Sequence, residues 1–181
     1  MTTALVLVDI QNDYFPEGAM ELVDMTRAAE NAAQLLAQFR ARGAPIVHIQ
    51  HFSVRPGSTF FLPGTRGAEH QASVYPVDGE AIVQKNFPNS FRATALLETL
   101  QRIGAEALLI VGAMSHMCVD ATTRAAFDLG YPCSVAADAC ATRDLVFNAT
   151  TIAAAHVHGA FMAALSAPYA RVASTAEHLR A

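Results

Sequence analysis

The stretch ALLIVGAMSHMCVDATTRAAFDLGY, residues 107–131, decides how the rest of the chain is read. Ala107–Val111 is a short continuous apolar run, the clearest buried strand in the chain, and Gly112 ends it. Val119–Leu129 then reads as a helix closed by Gly130. Strand, turn and helix in succession form the repeating unit of an α/β protein with a parallel sheet.

The same alternation recurs outward from this unit. Ala4–Asp9 (ALVLVD) reads as a first strand. Thr26–Arg42 reads as a helix with Ala28, Ala32, Leu35, Leu36 and Phe39 at helical spacing, stopped by Gly43 and Pro45. Ile46–Gln50 is a second strand, Ile82–Gln84 a short third, and Thr94–Ile103 a helix ending at Gly104. Beyond the central unit, Cys133–Ala137 reads as the fifth strand, Leu145–Leu165 as one long Ala-rich helix, and Tyr169–Ala173 as the sixth strand. Six strand–helix units without internal repetition predict one doubly wound domain over residues 1–181. Phe52–Gly79 breaks the rhythm and shows no sustained period. Its aromatic and proline content predicts an ordered loop serving as a lid or an oligomer contact.

Composition narrows the class. Apolar residues make up 52% of 181 residues and charged residues 15%, enough for a sizeable core. A net charge of -4 and a pI near 5.9 argue against a nucleic-acid partner, which needs a basic face. No polybasic run points to a membrane surface, and no apolar run approaches the ~20 residues of a bilayer span. Ala4–Val8 is too soon broken by Asp9 for a signal segment. Three widely spaced cysteines make no disulfide framework, so a reducing, cytoplasmic setting with free thiols is expected.

In open α/β sheets ligands bind outside the carboxyl ends of the strands. Those ends bring Asp9, Lys85 and Cys118 to one rim, with His51 and Phe52 after the second strand. Attack on a carbonyl needs a thiolate, and a thiol of ordinary pKa near 8.5 is mostly protonated at neutral pH. A helix N-terminus at Cys118 and an ammonium at Lys85 would both favour the thiolate. Asp9 could accept the thiol proton and return it to a departing amine. Singly each residue has a plainer reading: Asp9 a turn former, Lys85 solvated surface, and Cys133 and Cys140 small core hydrophobes.

Together the motifs LVLVDIQNDYF at 5–15, VQKNFPNSF at 83–91 and LLIVGAMSHMCVDATTRAAFDLGY at 108–131 resemble the isochorismatase-like cysteine hydrolases, which include nicotinamidases and N-carbamoylsarcosine amidase. The resemblance covers nearly the whole chain. It implies a three-layer α/β/α fold with a six-stranded parallel sheet and the catalytic set Asp9, Lys85 and Cys118. It also implies a cis peptide at Ala113–Met114 and an oxyanion hole from the N–H groups of Met114 and Cys118. No cofactor is implied. A homo-oligomer, dimer or tetramer, is implied, and the partner is a small-molecule substrate. The expected reaction is hydrolysis of a small amide or other C–N bond through a thioester on Cys118.

Two departures refine this. Where nicotinamidases carry an Asp-x-His metal pair, this chain has His51-Phe52-Ser53, so no metal site is expected; His51 and His70 without a carboxylate make a poor one. Isochorismatases proper lack the nucleophilic cysteine, so Cys118 argues against them. A nicotinamidase with an atypical or missing metal, and an isochorismatase-type hydrolase of a non-amide bond, stand as alternatives. A thiol redox protein would want a resolving cysteine, and Cys133 lies across a helix from Cys118. A non-catalytic scaffold would not need all three residues.

Tyr14, Phe15, Phe60, Phe87, His116 and Met117 are expected to line the pocket around a compact, partly aromatic or neutral substrate. No arginine stands beside Cys118 before Arg124. A carboxylate clamp would have to come from Arg55, Arg66 or Arg92.

Overall fold

The computed structural model describes residues 1–180. Six strands form one sheet: β1 (Thr3–Val8), β2 (Ile46–His51), β3 (Ala81–Lys85), β4 (Ala107–Ala113), β5 (Cys133–Ala141) and β8 (Ala170–Ala173). Their order is β3-β2-β1-β4-β5-β8, and every neighbouring pair is parallel.

Helices cover both faces, and β1 explains why. Leu5 and Leu7 pack toward α1 (Met25–Ala41), whose Ala28, Ala32, Leu35, Leu36 and Phe39 fall on one stripe. Ala4, Val6 and Val8 point the other way, toward α2 (Leu96–Arg102), α3 (Asp120–Asp128) and α4 (Ala154–Leu165). A strand buried on both faces loses the polar alternation of a half-exposed one, which is the pattern of a parallel sheet between helical layers. A last helix, α5 (Thr175–Leu179), packs against α1 and starts in a Ser174–Glu177 capping box.

One expectation fails. The long helix read over Leu145–Leu165 begins only at Ala154. Before it, β6 (Leu145–Phe147) and β7 (Thr150–Ile152) form a separate antiparallel hairpin. Asn148 and Ala149 at its tip both have positive φ, 48° and 59°, the two-residue turn that matches strand twist. The flanking Leu-Val-Phe and Thr-Thr-Ile suit strands, and the Asp144 carboxylate accepts from the Ala154 N–H at 2.7 Å, fixing where α4 starts. Among the described residues no helix is long and apolar enough to cross a membrane.

Candidate active site

The sheet grows outward in both directions from the β1/β4 pair, so the crevice where strand order reverses opens between their carboxyl ends. Asp9 follows β1 with φ 52°, a left-handed conformation. Gly112 lies opposite Val8, and a Cβ there would collide with the Val8 carbonyl; its φ of 120° also favours glycine. The Ala113–Met114 peptide is cis. A π-helical turn, Ser115–Val119, carries Cys118 and runs into α3. It is braced from behind: Ser115 Oγ donates to the Ala141 carbonyl at 3.1 Å and pairs with His158 Nδ1 at 2.8 Å.

Lys85 ends β3, with β2 between it and β1. Its Nζ lies 2.7 Å from Asp9 Oδ2, with both side chains fully sealed from solvent. The ammonium also meets His51 Nδ1 at 2.9 Å and donates to the Phe87 carbonyl at 3.1 Å. Neither Asp9 oxygen has an aligned hydrogen-bond partner, so the close Lys85 contact is ionic in character. A carboxylate oxygen of Asp9, a ring nitrogen of His51 and Sγ of Cys118 all lie within 4.8 Å of one another.

Burial raises the pKa of the Cys118 thiol, and the Asp9 charge raises it further, against the opposing pull of Lys85. Burial and Asp9 thus hold Cys118 toward its thiol form, against the pull toward thiolate from the neighbouring ammonium. The sulfur sits deep in the turn, and the Lys85 charge is already shared with Asp9. Burial works against the Lys85 ammonium, yet the charge of Asp9 beside it outweighs burial and holds its pKa above the usual lysine value. Burial lowers His51 to about 4, so its ring is neutral and Nδ1 can accept from Lys85. The sequence puts His51 at the strand-end rim as an ordinary polar histidine rather than a metal ligand; its place beside the ammonium comes from the β2–β3 register, where it pairs with Lys85. Cys133 and Cys140 are buried free thiols pushed up to about 11 and about 12.

Asp9, His51 and Cys118 are the one trio of potential metal ligands among the described residues. They do not fit a resident cation. Lys85 already occupies Asp9 and the Nδ1 of His51, and a metal there would face its ammonium at contact distance. His70 is not part of the trio; its ring lies against His48, 5.7 Å between centroids.

A cavity of about 270 Å³ opens beside this centre, reaching it at His51 and Met114. Phe60 and Met117 line it. Tyr14 and Phe15 instead belong to the buried core, with the Tyr14 ring 4.5 Å from that of Phe61. His116 bonds Thr142 through Nδ1 at 2.6 Å and meets Phe161 edge-on, and Phe87 lies under the Arg92 guanidinium at 3.8 Å. Of the arginines considered from sequence, Arg55 lines the cavity and Arg66 and Arg92 do not. Arg143 lines it as well. Nothing in its local sequence marked it, because it precedes a stretch that reads as helix. A larger hollow of about 370 Å³, between the starts of α1 and α4, holds none of Asp9, Lys85 and Cys118.

The loop over residues 52–79 forms one wall of the cavity and is tied to the β1 exit. Gln11 Nε2 donates to the His51 and Ala68 carbonyls at 2.9 and 2.8 Å, and its Oε1 accepts from the His51 N–H at 2.7 Å. Asp13 accepts from the Phe61 N–H at 2.6 Å, and a Cβ on Gly67 would strike that carboxylate. Between them, alternate residues after Asp9 thus fasten the loop rather than touch the cavity.

The sequence of residues 3–177 matches the family model described as the isochorismatase domain. The chain is 49% identical over 180 residues to the uncharacterized isochorismatase family protein YddQ of Bacillus subtilis (strain 168), covering 99% of this chain and 100% of that one. It is 36% identical to a streptothricin hydrolase of Streptomyces noursei over 78% of this chain and 50% of that protein. A crystal structure of an isochorismatase-type hydrolase from Oleispira antarctica superposes with a TM-score of 0.96 at 52% identity, over 99% of this chain and 97% of that one.

Proposed function

The chain belongs to the isochorismatase family of hydrolases, and from that premise we propose that it cleaves a small amide, or a related C–N bond, through a thioester on Cys118. The observation that carries this is the shared position of three groups from distant parts of the chain. A nucleophilic sulfur and a carboxylate lie within 4.8 Å, and the carboxylate is held by a buried ammonium at 2.7 Å.

Each atom then has a task. Asp9 removes the Cys118 proton as the sulfur attacks the substrate carbonyl, so the thiolate exists only while it reacts. The N–H groups of Met114 and Cys118 receive the developing oxyanion. Asp9 returns its proton to the leaving amine, the C–N bond breaks, and an acyl–sulfur bond remains. Water then attacks the thioester, with Asp9 taking a proton, and Cys118 recovers its proton as the acid departs. Lys85 keeps a positive charge against Asp9 throughout, while neutral His51 and the Phe87 carbonyl fix the direction of the ammonium. A buried pair whose remaining donors are satisfied in this way holds its geometry without solvent.

Ammonia release from a panel of small amides, ureas and carbamoyl compounds, for wild type and Cys118→Ala, tests the reading. Release that falls by several orders of magnitude in the variant supports it. Equal release from both proteins, or ester cleavage with no amide cleavage, overturns it.

A further inference from the structure

We propose that His51 contacts the substrate: its Nε2–H donates a hydrogen bond to an uncharged acceptor, a second carbonyl or an equivalent oxygen, a few bonds from the scissile carbonyl. The position of that carbonyl rests on the amide reading above; the placement of the His51 proton does not.

Lys85 decides where that proton sits. An ammonium donates and cannot accept, so the 2.9 Å contact between Lys85 Nζ and His51 Nδ1 requires a lone pair on Nδ1. Burial keeps the ring neutral at neutral pH, and a neutral imidazole with a lone pair on Nδ1 carries its one proton on Nε2. Asp9 at 2.7 Å and the Phe87 carbonyl at 3.1 Å hold Lys85 from its other sides, so the ammonium stays where it meets the ring. The Phe61 ring, 5.9 Å away between centroids, packs beside the imidazole.

Nε2 lies across the ring from this contact. It makes no hydrogen bond among the described residues, and it is not sealed from solvent as the unpaired nitrogens of His48 and His70 are. Among those residues, His51 is the one polar side chain that belongs both to the Asp9–Cys118 centre and to the cavity wall. Asn86, also on that wall, already donates to the Phe52 carbonyl at 2.9 Å. The Nε2–H therefore stands as a free donor where the nucleophile meets the cavity, among the apolar walls of Met20, Phe60 and Met117. A donor left without an acceptor once substrate displaces water is costly, so such a site discriminates against substrates that lack one. An uncharged donor is matched by a carbonyl oxygen, and about 270 Å³ admits a compact molecule that carries two.

Two measurements test the proposal. In the first, long-range proton–nitrogen NMR of histidine-labelled protein reads the His51 ring at neutral pH, with His51→Asn used to assign its signals. A protonated Nε2 and a bare Nδ1 are expected; a proton on Nδ1, or on both nitrogens, overturns the donor. In the second, malonamide is compared with butyramide, which has the same chain length but no second carbonyl. Wild type should favour malonamide in kcat/KM by about tenfold or more. His51→Asn keeps an acceptor for Lys85 but places nothing at the Nε2 position, and should bring the ratio close to one. His51→Gln extends an amide N–H toward that position and should restore part of the preference. Where neither amide is turned over, the same pair is compared as protection of Cys118 against iodoacetamide, followed by mass spectrometry, with the same order expected. A wild-type ratio near one, a ratio unchanged in His51→Asn, or no protection by malonamide overturns the contact. Selective protection by malonamide that is lost in His51→Asn, without ammonia release from any amide, would keep the contact and remove the amide reading, so the two fail separately.

Discussion

Lys85 Nζ sits 2.7 Å from Asp9 Oδ2, at the ends of two strands that never touch each other, with no solvent at either side chain. Neither charge has water to fall back on, so each depends on the other. Lys85→Met should destabilise the protein by about 3–5 kcal/mol, because it strands a buried carboxylate. The double variant Asp9→Asn/Lys85→Met should cost less than the two single changes added together, as urea denaturation would show.

Cys118 alkylation should separate the two accounts of its activation. With burial and Asp9 raising its pKa, the iodoacetamide rate should climb through and beyond about pH 8.5, with no plateau at neutral pH. Asp9→Asn removes a charge that opposes the thiolate. Alkylation at a fixed pH of about 8 should therefore speed up while hydrolysis falls by orders of magnitude. A neutral-pH plateau in the wild-type rate would contradict the assignment of Asp9 as the base.

Acid should unfold the protein through its buried histidines. Burial lowers His51 and His70 to about 4, whereas an unfolded histidine titrates near 6.5. Between those values the unfolded chain binds protons that the folded chain refuses. The stabilisation is complete above pH 6.5 and is lost as pH falls toward 4, by at most about 1.4 kcal/mol per histidine per pH unit. Glu80 adds a second phase: despite the opposing effect of burial, the Arg40 pair lowers it to about 2, so its contribution fades below the usual carboxylate range. Thermal melts from pH 7 to 4 should show the first decline, and His70→Gln should make it shallower.

Gly112→Ala should be among the most damaging small substitutions in the chain. The added Cβ collides with backbone of Val8, which cannot rotate away, and the φ of 120° is strained for alanine. A loss of roughly 3 kcal/mol or more, or failure to accumulate as folded protein, is expected. Gly130→Ala meets no neighbouring atom and suffers only from its φ of 90°, so it should cost less in the same denaturation assay.

The strands were legible because parallel-sheet strands are buried on both faces and appear as unbroken apolar runs: ALVLV, IVHI and ALLIV all fall where the sheet has them. The hairpin at Leu145–Ile152 was not, because three-residue strands carry too few residues for a period to show beside the Ala-rich helix that follows. The fastening of the 52–79 loop by Gln11 and Asp13 was hidden too, since both stand in a motif segment where polarity suggests contact with substrate.

By itself the sequence determined the α/β class and placed Asp9, Lys85 and Cys118 at or just beyond the ends of three strands, because local apolar runs mark where each strand lies. Only the tertiary structure decided which way the ionisation of Lys85 and Cys118 is pushed. Burial depends on what other segments pack above a side chain, and the preference of Cys118 for its thiol follows from desolvation that no local pattern records. The same holds for the proton of His51, whose place on the ring is visible only once the β2–β3 register sets Nδ1 beside Lys85.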